Sequence, residues 1–159
     1  MNYENLNYKG NEIVVGYVGC TINYFEIKEV FYKDVWPLRK IVMYPEKDIE
    51  YVKLPEDKDG LHLGLYVENE LISVISLFVN GEELQFRKFA TLEDKQGCGY
   101  GSKLLNKVLE YAKESGMKRV WCNSRAEKTG FYKKFGFYET KESYVKDGRE
   151  FVIVEKILG

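Results

Sequence analysis

Apolar positions along the chain follow two periods, and the change from one to the other organises the whole pattern. Between Leu61 and Leu92 three short runs, "LHLGLYV", "LISVISLFV" and "LQFRKFATL", are rich in β-branched and aromatic residues and bounded by turn residues. Such runs predict strands. A short Glu-Asn-Glu turn joins the first two, and Asn80-Gly81 joins the last two, a dipeptide suited to a tight hairpin because both residues tolerate left-handed backbone. Past Gly101 the rhythm becomes helical: Leu104, Leu105, Val108, Leu109 and Ala112 recur every three or four positions, and Gly116 supplies a stop. "KRVWCN" then reads as a short strand, "AEKTGFYKKF" as a helix closed by Gly136, and "FYETKESYV" and "EFVIVEKIL" as strands around Asp147-Gly148.

Upstream, "INYFEIK" predicts a first strand. From Lys28 to Met43, Val30, Phe31, Val35, Leu38, Ile41 and Val42 recur at helical spacing, with Pro37 expected to bend or divide the element. "YPEKDIEYVKLPEDKDG" carries two prolines and many charges and reads as a surface connection, a candidate rim over an acceptor pocket. Residues 1–21 form an amino-terminal extension in which Ile13 to Val18 offers an edge strand but three glycines leave little to pack. Residues 22–159 then follow the order antiparallel strands, crossover helix, parallel strand, helix and closing hairpin. That order predicts one mixed-sheet α/β domain.

Composition narrows the chemistry. With 159 residues the chain has room for one domain, and a formal net charge of −1 gives no electrostatic case for a nucleic-acid partner. No apolar run approaches the ~20 residues that span a bilayer, and the amino terminus lacks the pattern of a signal peptide. Cys20, Cys98 and Cys122 make an odd count at unrelated spacings, which argues against a disulfide framework and for a cytoplasmic setting. The single histidine, His62, rules out a multi-histidine metal site; it lies in a strand, where a structural role is expected.

The stretch "EDKQGCGYGSKLLNKVLEYAK" places Gly97, Gly99 and Gly101 ahead of the amphipathic helix. A strand, a tight turn and a helix present unpaired N–H groups and the positive end of the helix dipole, which suit a phosphate. Glycines let the backbone approach its oxygens. The order Gly101-Ser102-Lys103 fails the Walker A pattern, and Ser102 stands where a dinucleotide fingerprint needs its third glycine. What matches is Gln/Arg-x-x-Gly-x-Gly at Gln96 to Gly101, followed about thirty residues later by "FYKKFGF".

That pair, in this order with a strand between, resembles the GNAT superfamily of N-acetyltransferases from about Ile22 to Ile157. The segments "QFRKFATLEDKQGCGYGSKLL" and "WCNSRAEKTGFYKKFGF" look like those of small bacterial members. The resemblance implies a mostly antiparallel sheet with a parallel, splayed fourth and fifth strand, acetyl-CoA as donor, no metal, and direct transfer to a primary amine of a small molecule or peptide. It leaves a homodimer open, as it does the acyl group. A non-catalytic acyl-CoA-binding or protein-interaction module on the same fold is the alternative.

Carried over residue by residue, the resemblance assigns diphosphate binding to the backbone of Gln96, Gly97, Cys98, Gly99, Tyr100, Gly101 and Ser102. It gives Phe89, Ala90 and Thr91 the strand-like pairing with the pantetheine arm, and Asn123 a side-chain contact to that arm. Tyr132 matches the tyrosine that protonates or hydrogen-bonds the departing thiolate. Glu82 and Glu83 are the base candidates. Cys98 invites an acetyl-cysteine reading but reads better as filler between glycines, and Cys122 reads as a small buried hydrophobe. Arg87 and Arg125 could grip an acceptor carboxylate or form structural ion pairs. The acids Glu46, Asp48, Glu50, Glu56, Asp57 and Asp59 hint at a cationic acceptor, offset by interleaved lysines.

Overall fold

The structure is a computed structural model that describes residues 8–10 and 24–159. The edge strand expected at Ile13–Val18 and Cys20 lie outside the described residues. Two compact units partition the chain, Met1–Leu77 with Lys88–Val108, and Phe78–Arg87 with Leu109–Gly159.

The first unit holds β1 (Tyr8–Gly10), β2 (Phe25–Glu29), β3 (Leu61–Val67), most of β4 (Glu70–Asn80), the end of β5 (Glu83–Thr91), α1 (Trp36–Met43) and the start of α2 (Tyr100–Glu114). Its strand order is β1-β2-β3-β4-β5. β1, β2, β3 and β4 pair antiparallel, with Phe25 opposite Val67 and Leu61 opposite Leu77. β3 is buried at every position but Tyr66, which explains why its sequence is almost continuously apolar. The β3–β4 turn puts Glu68 and Asn69 at φ 51 and 66, the paired left-handed residues of a two-residue hairpin.

Val30, Val35, Leu38, Val74 and Ala90 pack into one buried cluster, bordered by Trp36, Tyr66 and Leu92. Each fully buried valine or leucine contributes roughly 1.5–3 kcal/mol. α1 is shorter than its sequence periodicity suggests, because the chain stays extended to Glu29 and then makes a 3-10 turn at Tyr32–Val35. Pro37 occupies the first turn of α1. There its missing N–H has no partner to lose, so it starts the helix and does not bend it.

The second unit contains the end of β4, the start of β5, the end of α2, β6 (Arg119–Arg125), α3 (Thr129–Lys133), β7 (Tyr138–Lys146) and β8 (Arg149–Ile157). Its order is β4-β5-β6-β8-β7. β6 runs parallel to β5 and antiparallel to β8, and the Asp147-Gly148 hairpin takes φ 52 and 75. The arrangement is the mixed, mostly antiparallel α/β fold with one parallel pair; that pair, fourth and fifth in the sequence reading, is β5–β6 once β1 is counted. Among the described residues no helix is long and apolar enough to cross a membrane.

Candidate active site

The three glycines ahead of α2 do different jobs. Gly97 and Gly99 have φ of 76 and 85, a region that costs other L-residues ~1–2 kcal/mol. A Cβ at Gly97 would meet nothing within 4 Å, so conformation and not crowding demands glycine there. Gly101 lies in the first turn of α2, where a Cβ would stand 3.4 Å from Phe89 Cζ and 3.5 Å from Thr91 Oγ1. That glycine permits close packing of helix on strand.

The loop is tied back to β5 by Gln96, whose Nε2 donates to the Thr91 carbonyl at 2.9 Å. Ser73 Oγ donates to the Ala90 carbonyl at 3.3 Å and lies 2.8 Å from Thr91 Oγ1, so the end of β5 is held from both sides. The first intrahelical bond runs from Lys103 N–H to Gly99 O, 3.1 Å. The N–H groups of Tyr100, Gly101 and Ser102 precede it and have no helical acceptor. They form a donor set at the positive end of a fifteen-residue helix, and it fits a diphosphate.

Cys98 is disulfide-bonded, which corrects the expectation drawn from the cysteine count against disulfide pairing and withdraws its thiol from acyl transfer. Ala90 turns its side chain into the buried cluster. Lys88, within β5, takes φ 54, a mid-strand irregularity, and its ammonium sits 5.0 Å from the centre of the Tyr44 ring.

In the second unit the parallel ladder joins Glu83 to Arg119, Leu84 to Val120 and Gln85 to Trp121. β6 continues in register with β8 as far as Arg125 opposite Phe151. Asn123 lies on that continuing stretch, exposed and opposite Ile153. Tyr132 on α3 is ringed by Phe86, Phe131 and Phe137 at centroid distances of 5.7, 5.2 and 5.9 Å. Its hydroxyl lies within electrostatic reach of the Cys122 thiol. Burial, and after it the neighbouring Cys122, hold the Tyr132 hydroxyl above the usual phenol range. Burial likewise pushes the Cys122 thiol up to about 12, the neighbouring Tyr132 hydroxyl offsetting part of the effect.

Glu83 is paired with Arg119, whose Nη1 stands 3.4 Å from both carboxylate oxygens, while Arg119 Nε also bonds Glu155. Glu82 is exposed, and its carbonyl accepts from Lys118 N–H at 2.7 Å. Arg87 lies within electrostatic reach of Tyr144.

A buried polar network in the first unit has no counterpart in the sequence reading. Arg39 donates to both oxygens of Asp57 at 2.7 and 2.8 Å, to the Val52 carbonyl at 2.9 Å and to Ser76 Oγ at 2.8 Å. Trp36 Nε1 and Leu54 N–H also donate to Asp57 Oδ2, both at 2.9 Å. His62 Nε2 is 2.7 Å from the Asp57 carbonyl, which can only accept, so Nε2 carries the hydrogen and Nδ1 accepts from Ser76 Oγ at 2.7 Å. His62 is thus structural, as expected. Asp57 is structural too, against the expectation that it hints at a cationic acceptor: it is buried and paired with Arg39. The 44–60 loop also carries cations over its rings, Lys47 above Tyr51 at 5.2 Å and Tyr51 edge-on to Tyr44 at 4.8 Å. The spacing 39, 57, 62, 76 carries no periodic signal that could have announced this cluster.

Comparison with known proteins follows this geometry. The family model described as Acetyltransferase (GNAT) family matches residues 31–137. An uncharacterised N-acetyltransferase of Bacillus subtilis, YitI, is 31% identical over 128 residues, covering 75% of this chain and 86% of that protein. The ribosomal protein bS18-alanine N-acetyltransferase of Haemophilus influenzae is 33% identical over 101 residues, 59% of this chain and 69% of that protein. Among solved structures, a GNAT family acetyltransferase from Elizabethkingia anophelis with acetyl-CoA bound superposes with a TM-score of 0.63 at 21% identity, covering 84% of this chain and 98% of that one. The matched loop, the strand after it and the aromatic helix all fall inside the family span, and the chain belongs to the GNAT acetyltransferase family.

Proposed function

We propose that the chain transfers acetyl from acetyl-CoA to a primary amine of a small molecule or peptide by direct attack. The observation that supports this reading is the loop before α2, where two left-handed glycines and three N–H groups without helical acceptors offer donors suited to a diphosphate. In this reading the backbone of Gln96 to Ser102 holds the diphosphate, Phe89 to Thr91 and Asn123 guide the pantetheine arm, and acetyl-CoA supplies the activated thioester.

The amine lone pair forms a bond to the acetyl carbon, and the C–S bond breaks with its electron pair moving to sulfur. Tyr132 donates its O–H to that sulfur. An ordinary thiol has a pKa near ~8.5, below that of a buried phenol, so Tyr132 acts by hydrogen bonding to the thiolate and keeps its proton. Hydrogen bonds to charged groups contribute about 1.5–3 kcal/mol. Glu83, held by Arg119, and Glu82, exposed, serve in this reading as fixed charges near the start of β5; the ammonium gives one proton to solvent before attack and the nitrogen a second as the amide forms, while the thiolate takes one from solvent, so that one proton is released overall. Positioning supplies the rest.

The acceptor follows by analogy. The Haemophilus relative acts on an alanine amino group, so an alanine-initiated peptide heads the panel, with a polyamine and free amino acids behind it. A thiol-release assay over that panel tests the reading. Release dependent on one amine supports it; acetyl-CoA binding without release on any amine would favour a non-catalytic acyl-CoA module.

A further inference from the structure

The register of the closing strands sorts their side chains onto two faces, because residues alternate along a strand and directly opposed residues share a face. Val120, Cys122 and Ser124 of β6 and Val152 and Val154 of β8 are buried and form the inner face. Helix α3 lies on that side, since Tyr132 packs on Phe86, two residues along from Leu84, the partner of Val120. The outer face carries a different row. Arg125 of β6 stands opposite Phe151 of β8, and Phe151 opposite Tyr144 of β7. The two rings stack at 5.3 Å with 11° between their planes, and Tyr144 is 41% exposed. Arg125 is half-buried, and among the described residues no carboxylate pairs with its guanidinium. On the same face Glu83 and Glu155 are already paired with Arg119. The row also lies where β6 has left its neighbour: the parallel ladder from β5 ends at Gln85 and Trp121, and Asn123 and Arg125 continue beyond it.

We propose that the row Arg125, Phe151 and Tyr144 selects an acceptor amine that carries both a carboxylate and an aromatic ring, as a free aromatic amino acid does. This names the acceptor class within the acetyl-transfer reading above and rests on it. The guanidinium offers two parallel N–H donors to the carboxylate. The stacked rings offer a flat apolar face to the ring of the ligand. Asn123, assigned to the pantetheine arm, shares the outer face one row away, so an amine held by this row meets the thioester from the same strand. Charge decides against a polyamine, which Arg125 repels. An alanine-initiated peptide offers neither group next to its amine.

Two measurements separate this selection from the transfer reaction. The first uses 3-phenylpropionate, which has the carboxylate and the ring but no amine. Saturation-transfer NMR should show it binding the protein with CoA present, and Arg125→Gln should weaken that binding about tenfold or more. Arg125→Lys, which keeps the charge but loses the fork, should fall between, with melting curves confirming the fold of each variant. No binding to wild type, or equal binding to wild type and Arg125→Gln, overturns the proposal. The second is thiol release. There kcat/KM for phenylalanine should exceed that for phenethylamine, which lacks the carboxylate, by about 10- to 100-fold. It should exceed that for alanine, which lacks the ring, by about 2- to 10-fold. Arg125→Gln should bring the first ratio close to one. Release indifferent to carboxylate or ring overturns the proposal and leaves acetyl transfer standing. Binding of 3-phenylpropionate through Arg125 without release from any amine would uphold the binding row and remove the transfer reading, an outcome distinct from failure of the selection.

Discussion

Arg39 on α1 grips both carboxylate oxygens of Asp57 at 2.7 and 2.8 Å, and neither side chain is more than 1% exposed. The pair pins the 44–60 loop to the helix before it, with Trp36, Leu54 and Ser76 completing most of the hydrogen bonds. Only Arg39 Nε lacks a partner among the buried side-chain atoms described. The loop is a surface connection, exposed at most positions, that is anchored at the buried Val52 and Asp57. Two 3-10 turns, Ile49–Val52 and Asp57–Asp59, shape it around a fixed anchor.

Removing one side of that pair should be severe. Arg39→Met leaves a buried carboxylate without its cation, a loss of about 3–5 kcal/mol, or about 10 °C in melting temperature for a chain of this size. The double variant Arg39→Met, Asp57→Leu should be no less stable than the single one. Calorimetric melting of both decides it; a single variant within a degree or two of wild type would show that the pair does not hold the loop.

His62 gives the stability a pH dependence of predictable sign. Burial lowers its pKa from 6.5, with Arg39 adding to that and the Asp57 hydrogen bond and charge opposing it. A depressed histidine stabilises fully above its unfolded value and loses that contribution as pH falls below about 6.5, where the unfolded chain binds a proton the folded one resists. Asp57 adds a second loss further down: burial raises its pKa, but the bonds from Arg39, Leu54 and Trp36 leave it net lowered from 3.8. Melting at pH 7.5 and 5.5 should show wild type losing stability and His62→Gln, weaker at pH 7.5, losing less. Parallel losses would sink the assignment.

The parts of this molecule that were legible in the sequence are those written in local periodicity. The runs at Leu61, Leu71 and Leu84 became β3, β4 and β5 within a residue or so, and Asn80-Gly81 and Asp147-Gly148 made the expected turns. The glycine loop was legible because φ near 80° leaves glycine few rivals. Other features had no local mark. Arg39 and Asp57 lie 18 residues apart and Arg39 and Ser76 37 apart, so only tertiary packing brings them together, and in sequence Asp57 looks like any loop acid. Lys88 takes a left-handed φ that lysine does not advertise.

Glu83 is expected to matter little to turnover. It is about half exposed and its contacts with Arg119 are long, 3.4 Å, the kind of surface pair that contributes about 0–1 kcal/mol. Glu83→Gln should leave kcat within about twofold of wild type. A large loss that follows a carboxylate titration in the pH–rate profile would return it to the role of base.

For Tyr132 the raised pKa predicts a flat response to alkali. The hydroxyl stays protonated past the ordinary tyrosine value of 10, so the ratio of wild-type to Tyr132→Phe turnover should hold steady from pH 7 to 10. That ratio should be about 10- to 100-fold, as for a hydrogen bond to a charged group. A ratio that collapses between pH 8 and 9 would mean the phenol ionises there.

Titration calorimetry of acetyl-CoA into wild type and Gly99→Val tests the central claim, that the backbone ahead of α2 holds the donor's diphosphate. The account predicts a clear isotherm for wild type and an affinity at least about tenfold weaker in the variant, since a β-branched residue resists φ 85, with a melting temperature that shows the rest of the fold intact. No heat from wild type, or equal affinity in the two proteins, would contradict it.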